Sequence, residues 1–142
     1  MGVDIEFLRR VALFSGLTDD DLRALSRNLV ERRYGAGEVV FPEEETGRSV
    51  YVVREGRVKV SRWLASGREL ILAYHDAPEH FGEMALLDGR TAPATVTAVS
   101  RTSIVSLDRV RFEALLREPR FSRTLLEVLC ARCRDAWQQI EI

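Results

Sequence analysis

The segment from Phe81 to Gly89, FGEMALLDG, holds the residue types in this chain that are best suited to binding a small ligand. Gly82 can adopt backbone angles that other residues avoid, and the residues after it, Glu83 to Leu87, are typical of a short helical turn. Free N–H groups at the start of a helix favour an anion. Glu83 does not favour an anion, but its carboxylate can accept hydrogen bonds from a hydroxyl group. A phosphate and a hydroxyl held side by side indicate a sugar phosphate.

The remaining chemistry-bearing residues do not form a catalytic or metal site. Cys130 and Cys133 form a C-x-x-C pair without a second pair. A structural zinc site needs four ligands, so we interpret them as residues of a packed helix. His75 and His80 are interpreted as structural residues. His80 directly precedes the segment, so it is also a candidate ligand contact. Trp137 is a candidate for stacking on the base of a bound nucleotide. Because no nucleophile elbow, P-loop or H-E-x-x-H motif is present, we predict no enzyme, no metal and no cofactor.

Three stretches of different periodicity must position this segment. Residues 4–29 carry apolar residues at helical spacing, with Thr18 as an N-cap and an aspartate three residues later as a weak capping box. Residues 30–108 contain short apolar runs between turn residues, which indicates a sandwich or a barrel. Residues 109–142 return to helical spacing, and Pro119 suits the first turn of a long final helix.

The final helix carries two apolar stripes. Phe121, Leu125 and Val128 form one that can pack on the helix's own domain. The other has the 3-4-3-4 spacing of an a/d seam, which favours pairing with a second copy of the helix, although this stripe could also pack on its own domain. We predict a homodimer through this helix. The seam residues are Leu126, Leu129, Cys133, Ala136 and Ile140.

Residues 81–96, which we call the cassette segment, closely resemble the phosphate-binding cassette of cyclic nucleotide-binding domains, especially those of the catabolite-activator/FNR (CRP/FNR) regulator superfamily. The matching motif is FGEMALL followed by ATV, and the resemblance extends to residues 37–41, Gly47 and residues 50–60. The resemblance implies one mainly β domain over residues 1–142. Its expected fold is an eight-stranded antiparallel jelly-roll barrel (a double-stranded β-helix) with N-terminal helices and a long C-terminal dimerisation helix.

The resemblance also implies roles for individual residues. The family's cassette Gly and Ala present N–H groups to a cyclic phosphate, and they match Gly82 and Ala85. The family's Glu accepts a hydrogen bond from the ribose 2′-hydroxyl, and it matches Glu83. The implied ligand is a cyclic nucleotide such as cAMP or cGMP. The candidate ligand-binding residues are Gly82, Glu83, Met84, Ala85, Arg90, Ala92, Pro93, Ala94 and Thr95.

Two cassette positions depart from the family pattern. The family places an Arg and then a Ser, Thr or Ala before the Ala-Thr-Val strand, whereas this chain has Ala92 and Pro93. Ala92 carries no charge and Pro93 has no N–H. Losing both phosphate contacts removes roughly 3–5 kcal/mol, which is about two to four decades of affinity. Arg90, two residues upstream, is a candidate substitute, or else an exposed loop residue. We therefore expect weak or altered nucleotide affinity.

Composition limits the possible partners. The chain of 142 residues has 21 Lys plus Arg against 22 Asp plus Glu, a net charge of −1, which excludes nucleic-acid binding through bulk positive charge. Neither a transmembrane run nor a signal peptide is recognisable, so we expect a cytoplasmic protein with no membrane partner. The sequence ends at Ile142. We therefore expect DNA contact only through a helix-turn-helix domain that lies outside this sequence.

Three functions remain open from the sequence. The first is the ligand-sensing, dimerising effector domain of a CRP/FNR-type transcriptional regulator. The second is a dimerisation or docking module that binds no nucleotide. The third is a stand-alone regulatory domain that acts on another protein.

Overall fold

The structure is a computed structural model that describes residues 3–140. The first two and last two residues of the predicted 1–142 domain, including Ile142, lie outside the described residues. The helices are α1 (Ile5–Arg9), α2 (Asp19–Ser26), α3 (Glu83–Asp88), α4 (Arg109–Leu116) and α5 (Pro119–Gln138), with a 3-10 turn at Ala12–Phe14. The strands are β1 (Val30–Tyr34), β2 (Val39–Phe41), β3 (Ser49–Glu55), β4 (Arg57–Trp63), β5 (Glu69–Asp76), β6 (His80–Phe81), β7 (Thr95–Ala98) and β8 (Thr102–Asp108).

The eight strands form two four-stranded antiparallel sheets, in the orders β1-β8-β3-β6 and β2-β7-β4-β5. The prediction of a mainly β fold with flanking helices is confirmed, but the prediction of a closed barrel is wrong. Sheets that pack face to face through side chains lie about 10 Å apart, roughly twice the spacing of hydrogen-bonded strands. The edges of the two sheets therefore do not pair, and an isolated bridge joins Thr46 and Thr91 outside the strands.

Alternation along β3 divides the core into two layers. Val50 and Val52 belong to a buried cluster between the first sheet and the helices, whereas Val53 belongs to a cluster between the two sheets. Successive strand residues point to opposite faces, so one strand supplies both layers. The helical layer includes Phe112 and Phe121, which meet edge to face with ring centroids 5.9 Å apart.

The helices begin where their capping residues indicate. Thr18 and the side chain of Asp21 form a complete capping box on α2, and Pro119 is the first residue of α5. Three short helical segments form the N-terminal region. They cover less of residues 4–29 than the helical spacing of the apolar residues predicts. No helix among residues 3–140 has both the length and the apolar run that a membrane crossing requires.

The two predicted stripes of α5 differ in burial. Phe121 and Leu125 are buried, which confirms that the inner stripe packs on its own domain. Leu126 is 61% exposed. Among the described residues the helix ends at Gln138, so Ile140 lies beyond the helical part of the seam. Leu129 is partly buried against the core of its own domain, whereas Leu126, Cys133 and Ala136 are exposed, so the domain covers this stripe of α5 only in part.

Candidate ligand-binding site

A cavity opens where the cassette segment meets β2, β3 and α5. Two of the nine predicted ligand-binding residues, Arg90 and Thr95, lie outside it. The backbone N–H of Arg90 donates to Oδ1 of Asp88 at 2.9 Å, and the residue is exposed on a separate depression. The hydroxyl of Thr95 accepts a hydrogen bond from the backbone N–H of Glu43 at 2.9 Å. The predicted residues that line the cavity are Gly82, Glu83, Met84, Ala85, Ala92, Pro93 and Ala94.

Two glycines allow the chain to close around the cavity. Gly82 has a φ of +86°, and a Cβ there would meet the ring of Tyr51 at 2.8 Å. A Cβ at Gly47 would meet the Cβ of Ala85 at 2.6 Å. Contacts this short do not occur between real atoms, so both positions require glycine. The turn at Gly82 starts α3, as the sequence predicts, and places Glu83 in the cavity wall.

Glu83 is held by an arginine from the far end of the chain. Its side chain is 5% exposed, and its Oε1 accepts a hydrogen bond from Nη1 of Arg132 at 3.1 Å. The Nη2 of Arg132 donates to the backbone carbonyl of His80. A buried carboxylate is costly unless it is paired, so Arg132 stabilises the carboxylate that the sequence assigns to a ligand hydroxyl. This contact joins the cassette segment directly to α5.

His80 lies behind the cavity wall rather than in it. It is 3% exposed, and its Nε2 has no hydrogen-bond partner among residues 3–140. The nearest carboxylate oxygen, Oε1 of Glu83, is 3.8 Å from that nitrogen. Burial, and secondly the charge of Arg132, lower the pKa of His80 to about 3. The structure therefore does not place His80 as a direct ligand contact.

Aromatic rings form one wall of the cavity. The rings of His75 and Phe81 stack with centroids 6.1 Å apart, and those of Phe81 and Tyr51 with centroids 5.3 Å apart. Phe41 lies 5.4 Å from Tyr51. Burial lowers the pKa of His75 and raises that of Tyr51, so both rings favour their neutral forms. This wall suits a planar apolar group.

The two departures from the family pattern lie in the cavity lining. Ala92 is 6% exposed, and its backbone N–H donates to the carbonyl of Glu45 at 2.9 Å. Its backbone carbonyl accepts from the N–H of Glu44 at 2.8 Å. Pro93 follows without an N–H to donate. These two residues therefore offer a bound anion neither a positive charge nor a free hydrogen-bond donor on this side of the cavity.

Sequence reasoning missed Arg132 as a site residue, although the helix carries a signal for it. The inner stripe of α5 runs through Phe121, Leu125 and Val128 at steps of four and three residues. The next step of four reaches Arg132. An arginine that continues a buried apolar stripe must meet a polar partner inside the fold. Neither the sequence of α5 nor that of the cassette segment identifies Glu83 as that partner.

The other residues that the sequence singled out lie away from the cavity. Trp137 is 68% exposed and does not line it, so the structure does not place this ring over a bound base. Cys130 and Cys133 are free and exposed. No cluster of three or more His, Cys, Asp or Glu side chains suited to a metal ion occurs among residues 3–140.

Comparison with known proteins identifies relatives across nearly the whole chain. Residues 31–118 match the family model of the cyclic nucleotide-binding domain. A CRP-like cAMP-activated global transcriptional regulator of Mycobacterium tuberculosis is 31% identical over 130 residues, which cover 91% of this chain and 58% of that protein. This chain therefore spans about three fifths of that regulator's length.

Solved structures share the fold. The crystal structure of the Thermus thermophilus catabolite activator protein superposes with a TM-score of 0.79 and 32% identity, over 90% of this chain and 61% of that one. The regulatory domain of Toxoplasma gondii PKA, in a co-crystal with cAMP, has a TM-score of 0.71 and 30% identity. That match covers 77% of this chain and 41% of the PKA chain.

Proposed function

Because this chain belongs to the cyclic nucleotide-binding domain family, we propose that it is a ligand-sensing regulatory domain, the effector part of a CRP/FNR-type transcriptional regulator. The ligand is a small molecule that carries a ribose, and it occupies the cavity between the cassette segment and α5. The single observation that carries this proposal is the contact between Glu83 and Arg132. It links the carboxylate that a ribose would use to the helix that would pass the signal on.

Ligand binding and the Arg132 contact compete for the same carboxylate. A ribose hydroxyl donates to Glu83, as the guanidinium of Arg132 does without ligand. A carboxylate oxygen can accept more than one hydrogen bond, but a ligand that takes the Oε1 position weakens the Arg132 contact. Because Arg132 is part of α5, that change shifts the position of the helix relative to the cassette segment. This is the step that converts occupancy into a change of shape.

The output of this step is the exposed face of α5. We propose that two copies pair along Leu126, Leu129, Cys133 and Ala136, and that the ligand alters this pairing. A DNA-reading domain elsewhere in a longer protein would take its orientation from the paired helices. The relative from M. tuberculosis is named as a transcriptional regulator, and this chain matches 58% of its length.

A second candidate function is a dimerisation or docking module that binds no nucleotide. Ala92 and Pro93 favour it, because they remove the cation and the N–H donor that the family uses for phosphate. A binding measurement separates the two functions.

The test is calorimetry and thermal shift with cAMP, cGMP, adenosine and guanosine on the wild-type chain and on Glu83→Gln. We expect saturable binding, weakened at least about tenfold in Glu83→Gln, because a hydrogen bond to a charged group contributes about 1.5–3 kcal/mol. Glu113→Gln is the matched control, since Glu113 lies on α4 and pairs with Arg109 outside the cavity. The absence of heat and thermal shift with all four ligands would contradict ligand sensing and leave the docking module.

A further inference from the structure

We infer that the cavity selects an uncharged ribonucleoside over a cyclic nucleotide. This inference rests on the proposed function, because it names the ligand class of the same cavity. Three properties of the lining support it. Residues 92–93 offer no free hydrogen-bond donor, the charged side chains balance one another, and Glu83 offers two acceptor oxygens.

The side of the cavity at residues 92–93 cannot hold a phosphate. Ala92 contributes a buried methyl group, and its only N–H already donates to the carbonyl of Glu45 at 2.9 Å. Pro93 contributes a ring without an N–H. A phosphate placed there loses its hydration and gains no hydrogen bond from either residue, which is unfavourable for a charged group.

The lining as a whole carries no surplus of positive charge. Glu45 and Glu83 are balanced by Arg48 and Arg132. Arg132 contacts both Glu83 and the carbonyl of His80, and a ligand that takes Oε1 of Glu83 leaves the second of these contacts in place. Arg48 is exposed to solvent, so an ion pair between its guanidinium and a negative ligand would contribute little. Burial lowers the pKa of His75, so this ring adds no charge near neutral pH. A negative ligand would therefore find no surplus cation in the lining and would depend on the N–H groups at the start of α3. A neutral ligand needs neither.

Glu83 offers more to a nucleoside than to a cyclic nucleotide. In a 3′,5′-cyclic nucleotide the phosphate occupies the 3′ oxygen, which leaves the 2′-hydroxyl as the only ribose donor. A nucleoside has both the 2′- and the 3′-hydroxyl free, and the two oxygens of a carboxylate can accept from both. The wall formed by Phe41, Tyr51 and Phe81 can then stack on the base, which is uncharged in either ligand.

The test compares adenosine, 2′-deoxyadenosine and cAMP by calorimetry on the same preparation. We expect adenosine to bind at least about tenfold tighter than cAMP, and at least about tenfold tighter than 2′-deoxyadenosine, as the loss of one charge-assisted hydrogen bond predicts. Binding of cAMP as tight as adenosine or tighter would overturn the inference and leave the ligand-sensing function intact. Binding of none of the three would overturn both.

A variant tests the cause of the selectivity. Ala92→Arg combined with Pro93→Ser restores the missing cation and the missing N–H, so we expect cAMP to bind at least about tenfold tighter while adenosine binding changes little. If this variant does not fold, the ratio of adenosine affinity to cAMP affinity in the wild-type chain still tests the inference. An equal gain for adenosine and cAMP would show that residues 92–93 do not discriminate by charge and would overturn the explanation.

Discussion

At the scale of residues, the site is organised around one buried carboxylate. Glu83 is 4% exposed and lies beside His80, whose Nε2 lacks a partner among the described residues. The pairing of Glu83 with Arg132 removes the cost of an uncompensated charge. Under the proposed function, a ligand hydroxyl would replace Arg132 at Oε1 of Glu83, and such an exchange at one atom is suited to sensing.

His80 makes stability depend on pH. Its pKa is lowered to about 3 by burial and then by Arg132, whereas an unfolded histidine titrates near about 6.5. Between these values the unfolded chain binds more protons, so the free energy of unfolding falls as the pH decreases. We expect His80 to account for about 2 kcal/mol of loss between about pH 7 and pH 5, measured by urea unfolding.

His75 is the control for this dependence. Burial also lowers its pKa, so it contributes in the same direction. His80→Gln should flatten the pH dependence of stability, and His75→Gln should remove only the contribution of His75. If the free energy of unfolding falls equally for the wild type and for His80→Gln between about pH 7 and pH 5, the dependence does not come from His80.

The sequence predicts the cassette residues well because their roles are local. Gly82 needs its backbone angle and Glu83 follows it in the chain, so the motif alone indicates both. Arg132 lies 49 residues from Glu83 and has no local signal that names its partner. Arg90 is the opposite case, because it is close to the cassette motif in sequence but is exposed outside the cavity, which agrees with the exposed-loop alternative.

At the scale of elements, α5 has two faces with different tasks. Its inner face holds the buried Phe121 and Leu125, and then Arg132 at the cavity. Its outer face exposes Leu126 and Cys133 to solvent. A surface helix of one domain normally exposes its polar face, so the apolar outer face favours a second copy of the helix as its partner.

The seam can be tested by sedimentation velocity. Leu126→Gln should weaken dimerisation at least about tenfold, because each copy loses about 1.5–3 kcal/mol of apolar burial. Glu127→Gln is the matched control, since Glu127 is the exposed neighbour that pairs with Arg123. A wild-type chain that stays monomeric at every concentration would contradict the seam.

Strands were predictable where the sequence carries an apolar run or an alternation of apolar and polar residues. The apolar run in β3 and the alternation along β4 indicate these two strands. β1 has the sequence VERRY at a sheet edge, and four of its five residues are exposed, so it carries little apolar signal. β6 has only two residues. The absence of closure into a barrel was not predictable, because closure depends on pairing between sheet edges far apart in the sequence.

At the scale of the whole molecule, the sandwich and the cassette segment form most of the cavity wall, and α5 completes it. The cassette segment is fixed by the close packing of Gly47 against Ala85 and of Gly82 against Tyr51. α5 meets the cavity through a single arginine. Under the proposed function, occupancy at Glu83 would therefore act on the helix rather than on the sheets.

The most direct test of this account is hydrogen exchange along α5 with and without saturating adenosine or cAMP. Loss of the Arg132 contact on ligand binding should speed amide exchange around Arg132, because local opening of that part of the helix becomes less costly. In Arg132→Gln, exchange should be fast without ligand and should not respond to it. Exchange in α5 that stays unchanged while ligand binds, or that changes equally in Arg132→Gln, would contradict the account.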